Sequence, residues 1–190
     1  MTPPVALLHA NRVASRWANG GGVTYQVLAG PEGAGMEDFD WRVSFAEVAS
    51  EGAFSRFPGV DRVLVLTRGR GMVLEVDGQP MDVRRFEPVH FPGEVGVRSR
   101  LTHGPTEDLN IMTRRGRVDA TVGIITMREG LEFPAPGAIE IIAVLEGNCA
   151  LVAYPELPLG PRDCLLLRDG LALQGRATLA RIRLRQLAAN

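Results

Sequence analysis

The stretch Arg62-Val-Leu-Val-Leu-Thr-Arg-Gly69 decides the reading of the fold, because its pattern occurs twice. Laid over Glu140-Ile-Ile-Ala-Val-Leu-Glu-Gly147 it keeps one offset of 78 residues from first position to last. Both blocks are apolar runs that end in a charged residue and Gly. Each is followed by a second apolar segment, Met72 to Val76 and Ala150 to Tyr154. Further on, Phe91-Pro92-Gly93 falls within a residue of the same offset from Arg168-Asp169-Gly170. Short apolar runs rich in Val, Ile and Leu and bounded by Gly read as strands. A repeat of this length exceeds a solenoid unit and suits a duplicated small β-barrel.

Working outward, the same grammar extends over the chain. Trp17-Ala18-Asn19-Gly20-Gly21-Gly22 reads as a loop before an alternating segment, Val23 to Leu28. Phe39 to Val48 alternates strictly, and Asp108-Leu109-Asn110-Ile111-Met112 closes the first half. After Arg117 the pattern restarts with Val118 to Met127 and Ile139 to Leu145, then Cys149 to Tyr154, Cys164 to Leu167 and Ala177 to Leu187. No stretch longer than about two turns has a 3.6-residue period. The predicted architecture is all-β with very little helix: a first barrel over residues 1–117 and a smaller second one over 118–190, packed as one compact unit.

Composition narrows the function. The 190 residues suffice for an apolar core, and 45% hydrophobic with 23% charged residues is ordinary globular usage. A formal net charge of −1 argues against steering to nucleic acid or an anionic membrane. All 21 basic residues are Arg. Without Lys there is no Schiff base, Walker lysine or Ser-Lys pair. Cys149 and Cys164 form no CxxC and read as reduced, buried thiols. The N-terminus lacks a basic n-region and a long apolar run, and no apolar stretch is long enough to span a membrane. The expected location is the cytoplasm.

The candidate site comes from strand alternation, which sends successive side chains to opposite faces. Asp108, Asn110 and Met112 share one face of their strand. Arg42 and Ser44 share one face of theirs, opposite Trp41, Val43 and Phe45. A guanidinium fork and a hydroxyl suit a carboxylate, whereas an acid and an amide read N–H groups. The loop of Asn19, Gly20 and Gly21 is placed near the pocket mouth, where glycine lets a ligand or another backbone approach closely. Arg62 completes the candidate lining. A buried Arg42 requires a partner, and Asp108 or a bound anion would serve. Two aromatics, Phe54 and Phe57, are read as folded around the Pro58-Gly59 turn, and at least one is expected to plug a barrel end. Three arginines alternating at 181, 183 and 185 read as a solvated edge.

The segments with a strand, "VLxG", a second strand and a "PG" turn resemble the cupin barrel, and two copies resemble a bicupin (two tandem jelly-roll barrels). The motifs W-x-NGGG-x-T (Trp17 to Thr24), F-x-WR-x-S (Phe39 to Ser44), FSRFPG-x-DR (Phe54 to Arg62) and GP-x-x-D-x-N-x-M-x-RR (Gly104 to Arg115) together resemble the HutD family, over roughly residues 5 to 187. That resemblance implies a cytoplasmic bicupin tied to histidine utilisation, with a regulatory, small-molecule-binding role. It implies a histidine-pathway intermediate such as urocanate or formylglutamate as ligand, and leaves room for a homodimer.

Metal-binding cupins supply an HxH pair, a Glu and a third His. This chain has only His9, His90 and His103, with no HxH pair, so no metal and no cofactor is expected. No G-x-S-x-G elbow exists, and no catalytic residue is assigned. Binding of a small anion is therefore the leading expectation. An isomerase or hydrolase using the same pocket, with or without a metal, is the first alternative. An interaction module is the second.

Overall fold

The computed structural model describes residues 3–188. In chain order the elements are β1 (Val5–Leu7), a 3-10 turn (His9–Asn11), β2 (Ala14–Arg16), β3 (Gly22–Gly30), β4 (Trp41–Val48), β5 (Gly52–Ala53), β6 (Val60–Arg68), β7 (Met72–Val76), β8 (Gln79–Val83) and β9 (Pro88–Pro92). They continue as β10 (Val97–Leu101), β11 (Thr106–Arg114), β12 (Val118–Met127), β13 (Gly130–Phe133), β14 (Ile139–Leu151), β15 (Tyr154–Leu159), β16 (Cys164–Leu166) and β17 (Leu171–Gln186). The described residues contain no α-helix, and so none long and apolar enough to cross a membrane.

By internal contact the chain forms two units. The first spans Val13–Asp119 together with the described residues from Leu187 on. It holds a six-stranded antiparallel sheet in the order β2-β3-β4-β11-β6-β9 and a four-stranded one in the order β5-β10-β7-β8. Strand β11 is central. Asn110 stands opposite Ser44 on one side and Leu64 on the other, and Met112 opposite Arg42 and Arg62. One face of β6 therefore presents Arg62, Leu64 and Leu66. The two leucines join Met72, Leu74, Val83, Phe91 and Val97 in an apolar core, all of them buried. On the reverse face Val43, Phe45, Leu109 and Ile111 are at most 1% exposed. Burial on both faces explains the near-continuous apolar run of β6.

The second unit comprises Ala120–Gln186 and the described residues up to Arg12. Its sheet runs β1-β16-β14-β17-β12, with β13 added on β17 and β15 on β14. Pairing of Val5 with Leu166 and Leu7 with Cys164 gathers the first residues into this unit, whereas the sequence split at 117/118 grouped them with the first. The repeat is visible in the backbone. Gly69 and Gly147 both have positive φ, +111° and +78°, which an L side chain rarely adopts. The two halves differ at that point, because β14 does not stop there. It bulges between Val144 and Glu146 and continues to Leu151.

One expectation is corrected here. Strand β17 is no edge, since it lies between β14 and β12. Nor are its arginines simply solvated: the Nε atoms of Arg181 and Arg183 donate to the two oxygens of buried Glu140, at 2.6 and 3.2 Å.

Candidate functional site

In the first unit, one face of the six-stranded sheet opens on a cavity of about 340 Å³. Its lining includes Asn19, Arg42, Ser44, Arg62, Asp108, Asn110 and Met112. The register accounts for this grouping, because residues paired across antiparallel strands put their side chains on the same face. Six of the eight residues singled out in the sequence therefore meet. Gly20 and Gly21 do not line the cavity. The Gly20 N–H donates to the Trp17 carbonyl at 3.0 Å and the Gly21 N–H to Asn19 Oδ1 at 2.9 Å, so both donors are taken up inside the turn. Gly22 has a packing reason: a Cβ there would lie 2.5 Å from the Glu47 carbonyl oxygen and 3.0 Å from the Trp17 ring.

Several lining residues were not singled out from the sequence as ligand contacts, among them Ser15, Trp17, Met36, Phe54 and Phe57. The two phenylalanines do more than fill space. Together with Phe91 they surround the Arg62 guanidinium, whose carbon lies 5.2, 5.8 and 5.0 Å from the ring centroids of Phe54, Phe57 and Phe91. Such a cage supports a cation with little hydration. The FSRFPG motif was the available signal, but which Arg the rings would hold depends on the β6–β9 pairing. Trp17 packs edge-on to Phe54 at 6.1 Å, and its Nε1 donates to Thr24 Oγ1 at 2.8 Å.

The polar groups are unevenly satisfied. Arg42 Nε donates to Gln26 Oε1 at 2.9 Å, and its Nη1 makes a long 3.5 Å contact with Ser44 Oγ. Gln26, and not Asp108, is its hydrogen-bond partner. Asp108 is 1% exposed, and neither of its oxygens accepts a hydrogen bond; Asn110 Oδ1 and Arg62 Nε are also buried without a partner. Burial pushes the Asp108 carboxyl up to about 7, against the opposing pull of the Arg62 charge and with a contribution from Glu107. Burial likewise lowers Arg62 to about 10, opposed by Asp108 and reinforced by Arg42. Desolvation thus outweighs the attraction within the pair.

The histidines take no part in this cluster. His90 and His103 are exposed, while Asp108 is buried, and His103 Nδ1 faces Thr102 Oγ1 at 3.0 Å. Among the described residues no three His, Cys, Asp or Glu side chains are grouped to hold a metal ion. Both cysteines are buried free thiols, pushed up by burial to about 11 for Cys149 and about 12 for Cys164, which makes them poor nucleophiles near neutrality.

Comparison with solved structures first defines the class. A cupin 2 conserved barrel domain protein from Leptotrichia buccalis aligns with a TM-score of 0.61 at 11% identity, covering 91% of this chain and 92% of that one. The fold is cupin-like. The HutD family model matches residues 9–182, and the chain belongs to the HutD family. HutD from Pseudomonas fluorescens SBW25 superposes with a TM-score of 0.82 and 28% identity, covering 98% of this chain and all of that one. A Pseudomonas putida relative, described as an uncharacterised 21.2 kDa protein in the hutC 3′ region, is 32% identical over 86% of this chain and 88% of its own length. Protein Ves of Citrobacter koseri is 41% identical over 66% of this chain and 69% of its own.

Proposed function

We propose that this protein is a metal-free bicupin that binds a small anionic metabolite in its first unit, in the cytoplasm, as a regulatory element of histidine utilisation. One observation carries the reading: a cavity of about 340 Å³ whose wall holds buried, unpartnered polar atoms on Arg62, Asp108 and Asn110. Each buried group left without a partner costs about 1–3 kcal/mol. A stable protein keeps such a cluster where a bound molecule supplies the missing partners. Arg42 and Arg62 offer donors to a carboxylate, and Asn110 Oδ1 accepts an N–H.

The family's association supplies the candidate ligands, urocanate and formylglutamate, and both combine a carboxylate with an N–H group. Calorimetric titration with each intermediate of histidine degradation tests the reading. Binding by at least one at sub-millimolar concentration is the expected result; none binding at millimolar concentration contradicts it. A second reading, an isomerase or hydrolase, draws on one observation, the proton affinity of Asp108 near neutrality, which suits a general acid or base. Incubation with the same intermediates separates the two, because a binding protein returns them unchanged. Metal analysis of the purified protein tests the metal-free part.

A further inference from the structure

We propose that the cavity takes a carboxylate ligand together with one proton from solvent, and that the proton settles on Asp108. This rests on the binding reading above and specifies how that site works. Three titratable side chains line the cavity: Arg42 from β4, Arg62 from β6 and Asp108 from β11. The parts contributed by β2, the turn after it, β3 and the segment after β5 are neutral, among them Ser15, Trp17, Thr24, Phe54, Ser55 and Phe57. Glu107, the neighbour of Asp108 on β11, projects to the reverse face, where Thr67 Oγ1 donates to its Oε1 at 2.8 Å.

The cavity thus sets one carboxyl in the field of the Arg62 guanidinium, with Arg42 on the same lining, and neither oxygen of that carboxyl has a hydrogen-bond partner. A carboxylate drawn in by the arginines brings a second negative charge into the same small, poorly solvated space. A second carboxyl close to Asp108 raises the proton affinity of both, against the pull of the two guanidiniums, and a shared proton relieves the repulsion. Asp108 is the group that burial has already brought close to neutrality, so its proton affinity rises further on binding. Once protonated, Asp108 changes from a pure acceptor into a donor, and an O–H to carboxylate bond is among the shorter, charge-assisted kinds. No other bond forms or breaks; the proton comes from solvent and returns there on release. Linkage then requires that lower pH tighten binding.

The test is calorimetry at pH 7.5 with N-formylglutamate and, as a minimal carboxylate, acetate, neither of which titrates near neutrality. Each is titrated in two buffers of different protonation enthalpy, so that the difference in heat counts protons. The expected result is uptake of more than about half a proton per ligand, with affinity falling towards tenfold per pH unit above the midpoint of free Asp108. Asp108→Asn should abolish both the uptake and the slope, whatever it does to affinity. Binding without proton exchange, or with proton release, overturns the inference while leaving the binding reading intact. Failure of both carboxylates to bind contradicts the inference, and the binding reading falls with it only when the other intermediates of histidine degradation also fail to bind. Independently of any ligand or variant, an Asp108 carboxyl signal that titrates in the ordinary carboxylate range in carbon-13 NMR of the free protein overturns the inference.

Discussion

The two repeat strands carry opposite charges at the same position. Arg62 in β6 corresponds to Glu140 in β14, 78 residues on, and each strand pairs with a long partner, β11 or β17. Arg62 faces Met112 across its pair and Leu64 faces Asn110; Glu140 faces Arg183 and Ile142 faces Arg181. In the second unit both oxygens of the buried acid are taken by arginines, and the Arg181 guanidinium also lies 5.3 Å from the Phe133 ring centroid. In the first unit both oxygens of the buried acid, Asp108, are left without a hydrogen bond on a cavity wall. The comparison teaches that a buried charge in such a sheet can be closed by ion pairs, as Glu140 is, or left on a cavity wall, as Arg62 and Asp108 are. In the proposed function the first choice serves stability and the second serves binding, at a cost in stability.

The largest effect expected from this contrast is in the closed half. Glu140→Ala removes the acid hydrogen-bonded between two guanidiniums, one of which, Arg181, is largely buried with a side-chain exposure of 21%. Breaking a buried pair by removing one partner costs about 3–5 kcal/mol, and the half-exposed Arg183 places the expected loss near the lower figure. Urea denaturation measures it, and a loss below about 1 kcal/mol would show that the clamp is not what closes this half.

The open half should respond in the other direction. Asp108→Asn is expected to raise the stability of the ligand-free protein by about 1–2 kcal/mol at pH 8, because ionising a buried, unbonded carboxyl opposes folding. At pH 4 the gain should disappear. The native carboxyl holds its proton up to about 7, whereas the unfolded chain gives it up near 4. The unfolded state therefore binds fewer protons between those values, so this group's contribution falls as pH rises through that window and levels off above it. Thermal melts of both proteins from pH 4 to 8 would show the curves diverging upward in pH; parallel curves would remove Asp108 as their cause.

Arg42 should matter least to the fold. Its Nε bond to Gln26 is exposed, and no hydrogen bond ties it to Asp108, so Arg42→Ala should change stability by less than about 1 kcal/mol. Its effect belongs to binding, where loss of a charge-assisted contact of about 2 kcal/mol weakens affinity roughly thirtyfold. A large stability loss with unchanged affinity would make Arg42 a structural residue.

Much of this was legible in the sequence where alternation was strict. The run Trp41 to Val48 and the run Asp108 to Met112 each have one apolar face, so the period of two fixed which side chains would stand together, and Arg42, Ser44, Asp108 and Asn110 do. What alternation cannot supply is the partner across a distance. That Arg62 would sit among Phe54, Phe57 and Phe91, that Glu140 would be gripped from 41 and 43 residues away, and that Val5 to Leu7 would pair with Cys164 to Leu166 all depend on long-range pairing. The glycines mislead for a related reason. A triplet reads as open backbone, but here its first two N–H groups close a turn and its third makes room for Trp17.

The most direct test of the central claim, that the open half is the binding half, is a crystal structure of the protein soaked with N-formylglutamate. The account predicts density in the first-unit cavity, with a carboxylate on the arginine side and contacts to Asp108 and Asn110. Density in the second unit with the first-unit cavity empty would contradict it.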